Sequence, residues 1–575
     1  MEIVNPFEYE AASSLDPDRI SEWFIDDHNY ARFIKSRRNV ILDGDRGSGK
    51  SMILVYHAIE NEMARASARS QEPDLSNVGI YVPSNNPLLQ RAEHEEVLES
   101  AQRSIISERY LTYTIVAAIG KGLRQIESYL DAAERAAILD EIRYLMPSKR
   151  LDEVSDPFTY VTRFVRDALR MDQEALAKGL DFDFNFDTSS FYIHILPLLE
   201  ALRNTKALSQ THFSLLIDDA HMLDPYQQRI INSWLGYRDH SLFSLKVAIA
   251  GLRNYDLGTT FGGNILEGHD YTAVNLYRPF QNLDSEYGRF AVKVVERRLK
   301  QAGIAERVQD FFPTSESFTK DLSNAKGRAE KLAISRGIDP NDRKAFNDFR
   351  YKFGRALYFR DRSRRANKPQ YSGFETISHL STGVVRSLLN ICYAMFEREV
   401  SLRKTNPSFI RTDVQRDVIL EASDKQWEFV RGELDKSIAH CTPEDAVKIA
   451  RLLRRLAEYF RGRLLHHESE PRVLVFSISA FDPLRDAELV RLLDLAEEAQ
   501  LLYVRSGTAK SGGGRENYYV VNRMLFPQYG LDVQGQHGRA SLRAEDLLGA
   551  ANHDKAFPNT MGIDPPLEQG TLFDV

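Results

Sequence analysis

A chain of 575 residues is too long to fold around one hydrophobic core, so about three to four domains are expected. Charged and hydrophobic fractions of 27% and 43% are those of an ordinary globular chain, and a net charge of −7 excludes bulk nucleic-acid binding, leaving that role only to a local patch. Two distant cysteines, Cys392 and Cys441, exclude a disulfide framework and a cysteine metal cluster. No apolar run reaches the ~20 residues of a membrane span and no basic signal region opens the chain, so a cytoplasmic setting is expected.

Residues 1–39 mix acids with aromatics, carry Asn5-Pro6-Phe7, and suit a helix from Arg19 to Lys35. Such a segment ahead of a nucleotide loop either covers the base or packs. Val40-Ile41-Leu42 then reads as a buried strand feeding Gly44-Asp45-Arg46-Gly47-Ser48-Gly49-Lys50-Ser51, which meets G-x-x-x-x-G-K-[ST] at every fixed position. From Met52 to Ala64 the chain is apolar at helical spacing without Gly or Pro, so the pattern has the strand–loop–helix setting it requires. Glycines let successive N–H groups turn inward around a phosphate, and the helix N-terminus adds partial positive charge. Gly44 to Ser51, with Met52 behind them, are therefore assigned to ATP or ADP, Lys50 to the β- and γ-phosphates and Ser51 to Mg²⁺.

Gly79-Ile80-Tyr81-Val82 predicts a second strand, and 95–146 is largely helix-compatible, as in Tyr113 to Ile126 and Ala132 to Leu145. Asp181 to Asp187 breaks that pattern, and Phe191 to Leu202 resumes it with Pro197 as a kink. Phe213 to Ile217 is an apolar strand delivering Asp218-Asp219 at its C-terminal end, the Walker B arrangement, where ligands of open α/β sheets bind. Asp218 is assigned to Mg²⁺ through water and Asp219 to polarising the attacking water as general base. Leu245 to Gly251 is another buried strand, with Arg253 or Asn254 at its tip to sense the γ-phosphate; Tyr271 to Tyr277 adds one more.

Helices are expected beyond this point: Glu286 to Ala302, Phe346 to Phe359 and Val384 to Val400, the last opening with Gly383-Val384-Val385-Arg386 as a lid helix that places Arg386 over the phosphates. Between Arg343 and Lys368 basic residues that include Arg360, Arg362, Arg364, Arg365 and Lys368 interleave with aromatics, as in nucleic-acid grooves; solvated charge over a packed aromatic face is the competing reading. Ala446 to Leu465 reads as a helix and Val473 to Ile478 as a strand. A helix over 486–500 then runs into a hairpin of 501–505 and 517–521 around a Gly-rich loop. That order describes a winged helix, with Arg505, Lys510 and Arg515 on the wing for DNA phosphates; its acid-rich helix would repel a duplex, so protein binding is the alternative. After Gly530 the chain loses periodicity and Ala551 to Val575 reads as a mobile tail, in which Gln569-Gly570-Thr571-Leu572-Phe573 is similar to peptides that dock on bacterial sliding clamps.

The succession of Gly44 to Ser51, Ile217 to His221, Ala250-Gly251-Leu252-Arg253 and Gly383-Val384-Val385-Arg386 resembles the AAA+ ATPases of the origin-recognition type, and also the signal-transducing STAND ATPases. The resemblance implies an α/β P-loop NTPase with a parallel sheet, a helical lid and a C-terminal winged helix. Arg253 then looks like sensor 1 and Arg386 like sensor 2. The implied boundaries are 1–280 for the nucleotide core with an insertion near 90–190, 281–440 for the lid with a basic insertion near 304–370, 441–535 for the winged helix and 536–575 for the tail. The second acid is Asp, as in STAND proteins, and no arginine finger stands out, although Arg238 and Arg278 are placed for one. The implied function is a slow ATPase acting as a homo-oligomeric switch on DNA, in mobile-element or anti-phage settings. The alternative is a STAND-like ATPase whose nucleotide state controls a protein partner.

Overall fold

The computed structural model describes residues 3–8, 11–84, 100–177, 189–236, 241–252, 255–278, 280–364, 369–468, 471–508, 514–535 and 538–558. Packing divides the chain into two compact units, Glu10–Tyr277 and Arg278–Val575 with Met1–Tyr9. The expected 1–280 domain thus loses its first residues to the second unit. There the Asn5 amide donates to Tyr393 O (3.1 Å) and Glu397 Oε1 (2.8 Å), and the fully buried Phe7 packs among Phe311, Phe312 and Phe396. Of the two readings of this segment, packing is the one these contacts support. Among the described residues no helix is long and apolar enough to cross a membrane.

In the first unit β1 (Val40–Asp43), β2 (Asn77–Pro83), β3 (His212–Asp218), β4 (Phe243–Ile249) and β5 (Thr272–Asn275) form a sheet in the order β2-β3-β4-β1-β5, every pair parallel. Both faces are covered: one by the core of Val78, Ile80, Leu215, Ile217, Val247 and Ile249, the other by Val40, Leu42, Leu216 and Ala248 against the phosphate-loop helix. That is why β3 and β4 are buried at every position and read as mostly apolar rather than alternating, with Ser214, Ser244 and Lys246 as buried polar exceptions.

The helix expected from Met52 to Ala64 is interrupted, as Lys50–Tyr56 and Ile59–Ala68. A Cβ on Gly79 of β2 would lie 2.2 Å from His57 O, so only glycine admits this approach of strand to chain. The carbonyls freed by the break are taken up locally: Asn61 Nδ2 donates to Val55 O (2.8 Å) and Arg65 Nη1 to Tyr56 O. Further on, Phe191–Ile195 is a π-helical turn ahead of the helix Leu196–Arg203, so the expected irregularity lies just before Pro197.

At the opposite sheet edge from the nucleotide loop, Lys246 on β4 is fully buried and donates to the carbonyls of Ser36 (2.7 Å) and Arg38. Burial pushes its pKa down to about 7. An unfolded lysine titrates near ~10.4, so between about pH 7 and about pH 10 the unfolded chain binds the extra proton and stability rises with pH across that window. The expected outcome is a urea midpoint that climbs over this range by more in the wild type than in Lys246→Met. Parallel pH profiles for the two proteins would show that Lys246 keeps an ordinary pKa.

In the second unit the helix Glu316–Ser335 packs along Arg343–Arg364, and the helices Val385–Arg403, Thr412–Gly432 and Pro443–His466 follow. The described C-terminal strands β6 (Val473–Ser479), β7 (Leu502–Thr508), β8 (Arg515–Val521) and β9 (Gly538–Arg543) form a second sheet, ordered β7-β8-β6-β9. The β7–β8 hairpin follows the helix Ala487–Glu498 as the sequence predicts. The mobile tail expected from 536 is corrected over 538–558. There β9 pairs parallel with β6, the helix Ala544–His553 packs on Pro443–His466, and Phe557 is 2% exposed. Small buried residues, Ala544, Ala550 and Ala551, gave that helix little hydrophobic signal. The clamp-like peptide lies outside the described residues.

Buried at the centre of this unit is an ion cluster. Arg355 donates through Nε and Nη2 to both oxygens of Asp532 (2.7–3.0 Å), and Arg472 Nε donates to Asp532 Oδ2 (2.8 Å). It ties three segments together: the basic helix, the start of β6 and the loop ahead of β9.

Candidate functional site

The C-terminal edge of the first sheet collects the chemistry. β1 and β3 flank β4, so the Gly44–Gly49 loop and the acids after Ile217 emerge on either side of one strand. Gly44 is required by close approach, since a Cβ there would meet Ser48 Oγ at 2.8 Å and Leu276 Cβ at 3.0 Å. Gly49 is required by its backbone: φ is +104°, the left-handed turn from which the helix starts at Lys50.

Lys50 is 4% exposed and folds back on its own loop, donating to Gly44 O (2.6 Å) and Asp45 O (3.0 Å). Burial lowers its pKa, while Asp219, Asp218, Asp45 and Asp43 oppose that shift. Asp218 is 2% exposed. Burial and then Asp219 raise its pKa; hydrogen bonds from Ser51 and Tyr81 and the charge of Lys50 hold it down. Tyr81 Oη donates to Asp218 Oδ2 (2.8 Å) and the Asp219 amide to Oδ1 (3.0 Å). Asp219 is half-buried with φ 51° and ψ 36°, a left-handed conformation that Asp tolerates better than most residues.

These residues fit a nucleotide and its magnesium. Ser48 Oγ, in the loop, is a buried hydroxyl without a hydrogen-bond partner among the described residues. Ser51 and Asp218 bring a hydroxyl and a carboxylate together, the hard oxygen donors Mg²⁺ prefers. Among the described residues no group of three or more His, Cys, Asp or Glu could hold a metal by itself.

Two residues that sequence reasoning passed over belong here. Asp43 ends β1 and accepts from the amides of Gly251 (3.2 Å) and Leu252 (3.1 Å), pinning the end of β4 beside the phosphate loop. Burial raises its pKa, most strongly opposed by the Leu252 bond. An acid closing an apolar strand just before the glycine loop was a usable signal for it. Tyr81 gave none, because nothing in β2 announces a contact with a residue 137 positions away.

Arg253 and Asn254 lie outside the described residues, though Asp43 holds the backbone that leads to them. Arg386 is half-buried in the first turn of Val385–Arg403, in the second unit. Of the residues placed for an arginine finger, Arg238 lies outside the described residues and Arg278 is 6% exposed, its guanidinium 3.7 Å from the Phe290 ring centroid.

Two arginines of the expected basic groove, Arg360 and Arg362, and one of the expected wing, Arg505, make contacts within the protein. Arg360 donates to Leu464 O and His467 O (both 2.9 Å), closing the last turn of a neighbouring helix. Arg362 pairs with Asp321, and Arg505 is 9% exposed over Tyr503. The interleaved Phe353, Tyr358 and Phe359 are core. Long arginine stems on a packed helix look the same in sequence as a phosphate-binding face. Arg515 is exposed on β8; the Arg364 side chain, Arg365, Lys368 and Lys510 lie outside the described residues.

A family model described as ORC-CDC6-like matches residues 5–542. None of the curated proteins compared with the chain matches it. Among solved structures, the Aeropyrum pernix ORC1 protein in complex with DNA aligns over 91% of this chain and 95% of its own, at 11% identity and a TM-score of 0.28, too loose a likeness to carry residue equivalences.

Proposed function

Because the chain belongs to the ORC-CDC6-like family, with the α/β P-loop fold of an origin-recognition-type AAA+ ATPase, we propose that it is a switch acting on DNA that binds ATP with magnesium and hydrolyses it slowly. The observation that carries this reading is the convergence of Lys50, Ser51 and Asp218, brought from two strands to one edge of the sheet.

In this mechanism the loop amides of 44–51 and the Lys50 ammonium cradle the β- and γ-phosphates. Ser51 and Asp218 hold Mg²⁺, which when bound neutralises phosphate charge. Asp219 orients the attacking water and accepts its proton. Asp43 keeps the end of β4 in register with the phosphates, and Arg253 and Arg386 sense them. On the DNA side, Arg515 and Lys510 of the β7–β8 wing, with Arg364 at the end of the basic helix and Arg365 and Lys368 after it in sequence, meet backbone phosphates. The helix ahead of the wing carries Glu488, Asp494, Glu497 and Glu498, so the wing rather than that helix makes the contact.

Asp219→Asn is expected to bind ATP with wild-type affinity and hydrolyse it roughly tenfold or more slowly, since an amide does not accept the proton. Unchanged turnover in a steady-state phosphate assay would make Asp219 structural. The function itself is tested by titrating duplex DNA over a salt series with ADP and with a non-hydrolysable ATP analogue. Nucleotide-dependent affinity with a steep salt slope supports the reading. Absence of DNA binding at low salt in both states rejects it in favour of a protein-directed switch.

A further inference from the structure

Behind the phosphate loop the first unit holds a cavity of about 430 Å³, within the size range of small-ligand sites. No residue of the phosphate loop lines it, so it is separate from the phosphate site. Its walls are mostly apolar, with Ile20, Val55 and Val165 among them, and Ala58 of the break between Tyr56 and Ile59 lines it as well.

Purely apolar cavities stay dry and need no occupant. This one differs because Glu60 and Asn61, both in its lining, each keep a buried oxygen, Oε2 and Oδ1, without a hydrogen-bond partner among the described residues. Asn61 Nδ2 is committed to Val55 O, which leaves its oxygen as the acceptor. Burial raises the Glu60 pKa, opposed by its own backbone amide and by the charge of Lys121, an exposed residue that also lines the cavity. Two buried acceptors short of a donor, beside an apolar chamber, call for a donor attached to an apolar body. The lining also includes Tyr81, whose hydroxyl donates to Asp218 Oδ2, so whatever presses on that ring acts on the Walker B carboxylate.

We propose that this cavity binds a small apolar amine, its ammonium received by Glu60 and Asn61 and its body lying against Val55, Val165 and the Tyr81 ring, and that the occupant tunes magnesium binding at Asp218 through Tyr81. The tuning rests on the reading of Asp218 as a magnesium ligand; the binding does not.

The full chain is titrated by calorimetry with 4-phenylbutylamine, and with 4-phenylbutanol as its neutral counterpart. Saturable one-to-one binding of the amine is expected, with the alcohol roughly tenfold weaker because it lacks the charge-assisted bond. Glu60→Gln erases that preference, and Ala117→Trp, which fills the chamber from a half-buried position, erases binding of both. Ala118→Phe serves if the tryptophan variant does not melt cooperatively. No saturable binding, or binding undiminished in a folded cavity-filled variant, overturns the site. The second readout is the half-saturating Mg²⁺ concentration for ATP-analogue binding, expected to shift about threefold with the amine in the wild type and not in Tyr81→Phe. An unshifted wild type overturns the coupling. A wild type that binds no nucleotide overturns the functional reading instead, while the amine titration still decides the cavity.

Discussion

Lys50→Ala is expected to abolish ATP binding, with affinity falling by roughly a hundredfold or more, because the loop loses its best-placed cation for the β- and γ-phosphates. The size of the effect follows from the setting. Lys50 is buried, already hydrogen-bonded to the loop carbonyls of Gly44 and Asp45, and surrounded by Asp43, Asp45, Asp218 and Asp219. Without its ammonium, the charges of Asp43, Asp45, Asp218 and Asp219 lose the cation that offsets them beside the loop. Wild-type affinity in a fluorescent-nucleotide titration would remove the phosphate-loop assignment, and with it the roles given to Ser51 and Asp218.

Asp532→Ala is expected to destabilise the second unit by roughly 3–5 kcal/mol, since it strands two buried guanidiniums in low dielectric. Arg355 and Arg472 are 8% and 2% exposed, and their ion-pair partner within the cluster is this one carboxylate. Breaking such a pair from one side costs more than the pair contributes when intact, because the desolvated charges remain. Chemical denaturation followed by Trp427, which is buried in this unit and donates to Leu525 O, reads the loss. A change below about 1 kcal/mol would mean that water reaches the arginines when the acid is removed.

What could be read from the amino-acid sequence was whatever the chain decides within a dozen residues. The phosphate loop is such a case: strand, glycines, lysine and hydroxyl are contiguous, and left-handed backbone at Gly49 is a property of one residue. The parallel sheet was legible for a related reason, since strands buried on both faces read as mostly apolar without alternation, as Phe213 to Ile217 does with Ser214 its one polar residue. The β7–β8 hairpin was legible because a short Gly-rich loop joins its two strands. Tertiary structure alone decided the rest. Tyr81 reaches Asp218 and Asp43 reaches Gly251 across strands far apart in sequence, and no local pattern encodes such a pairing. The break after Tyr56 lies where Gly79 of another strand approaches His57 too closely for a side chain. Arg360 and Arg362 lose their freedom to carbonyls and an acid supplied by other segments. The stretch after 538 is ordered because β6 offers it an edge to pair with. Charge and amphipathicity are properties of a residue and its neighbours in sequence, whereas desolvation and hydrogen-bond partnership depend on which distant segment arrives beside it.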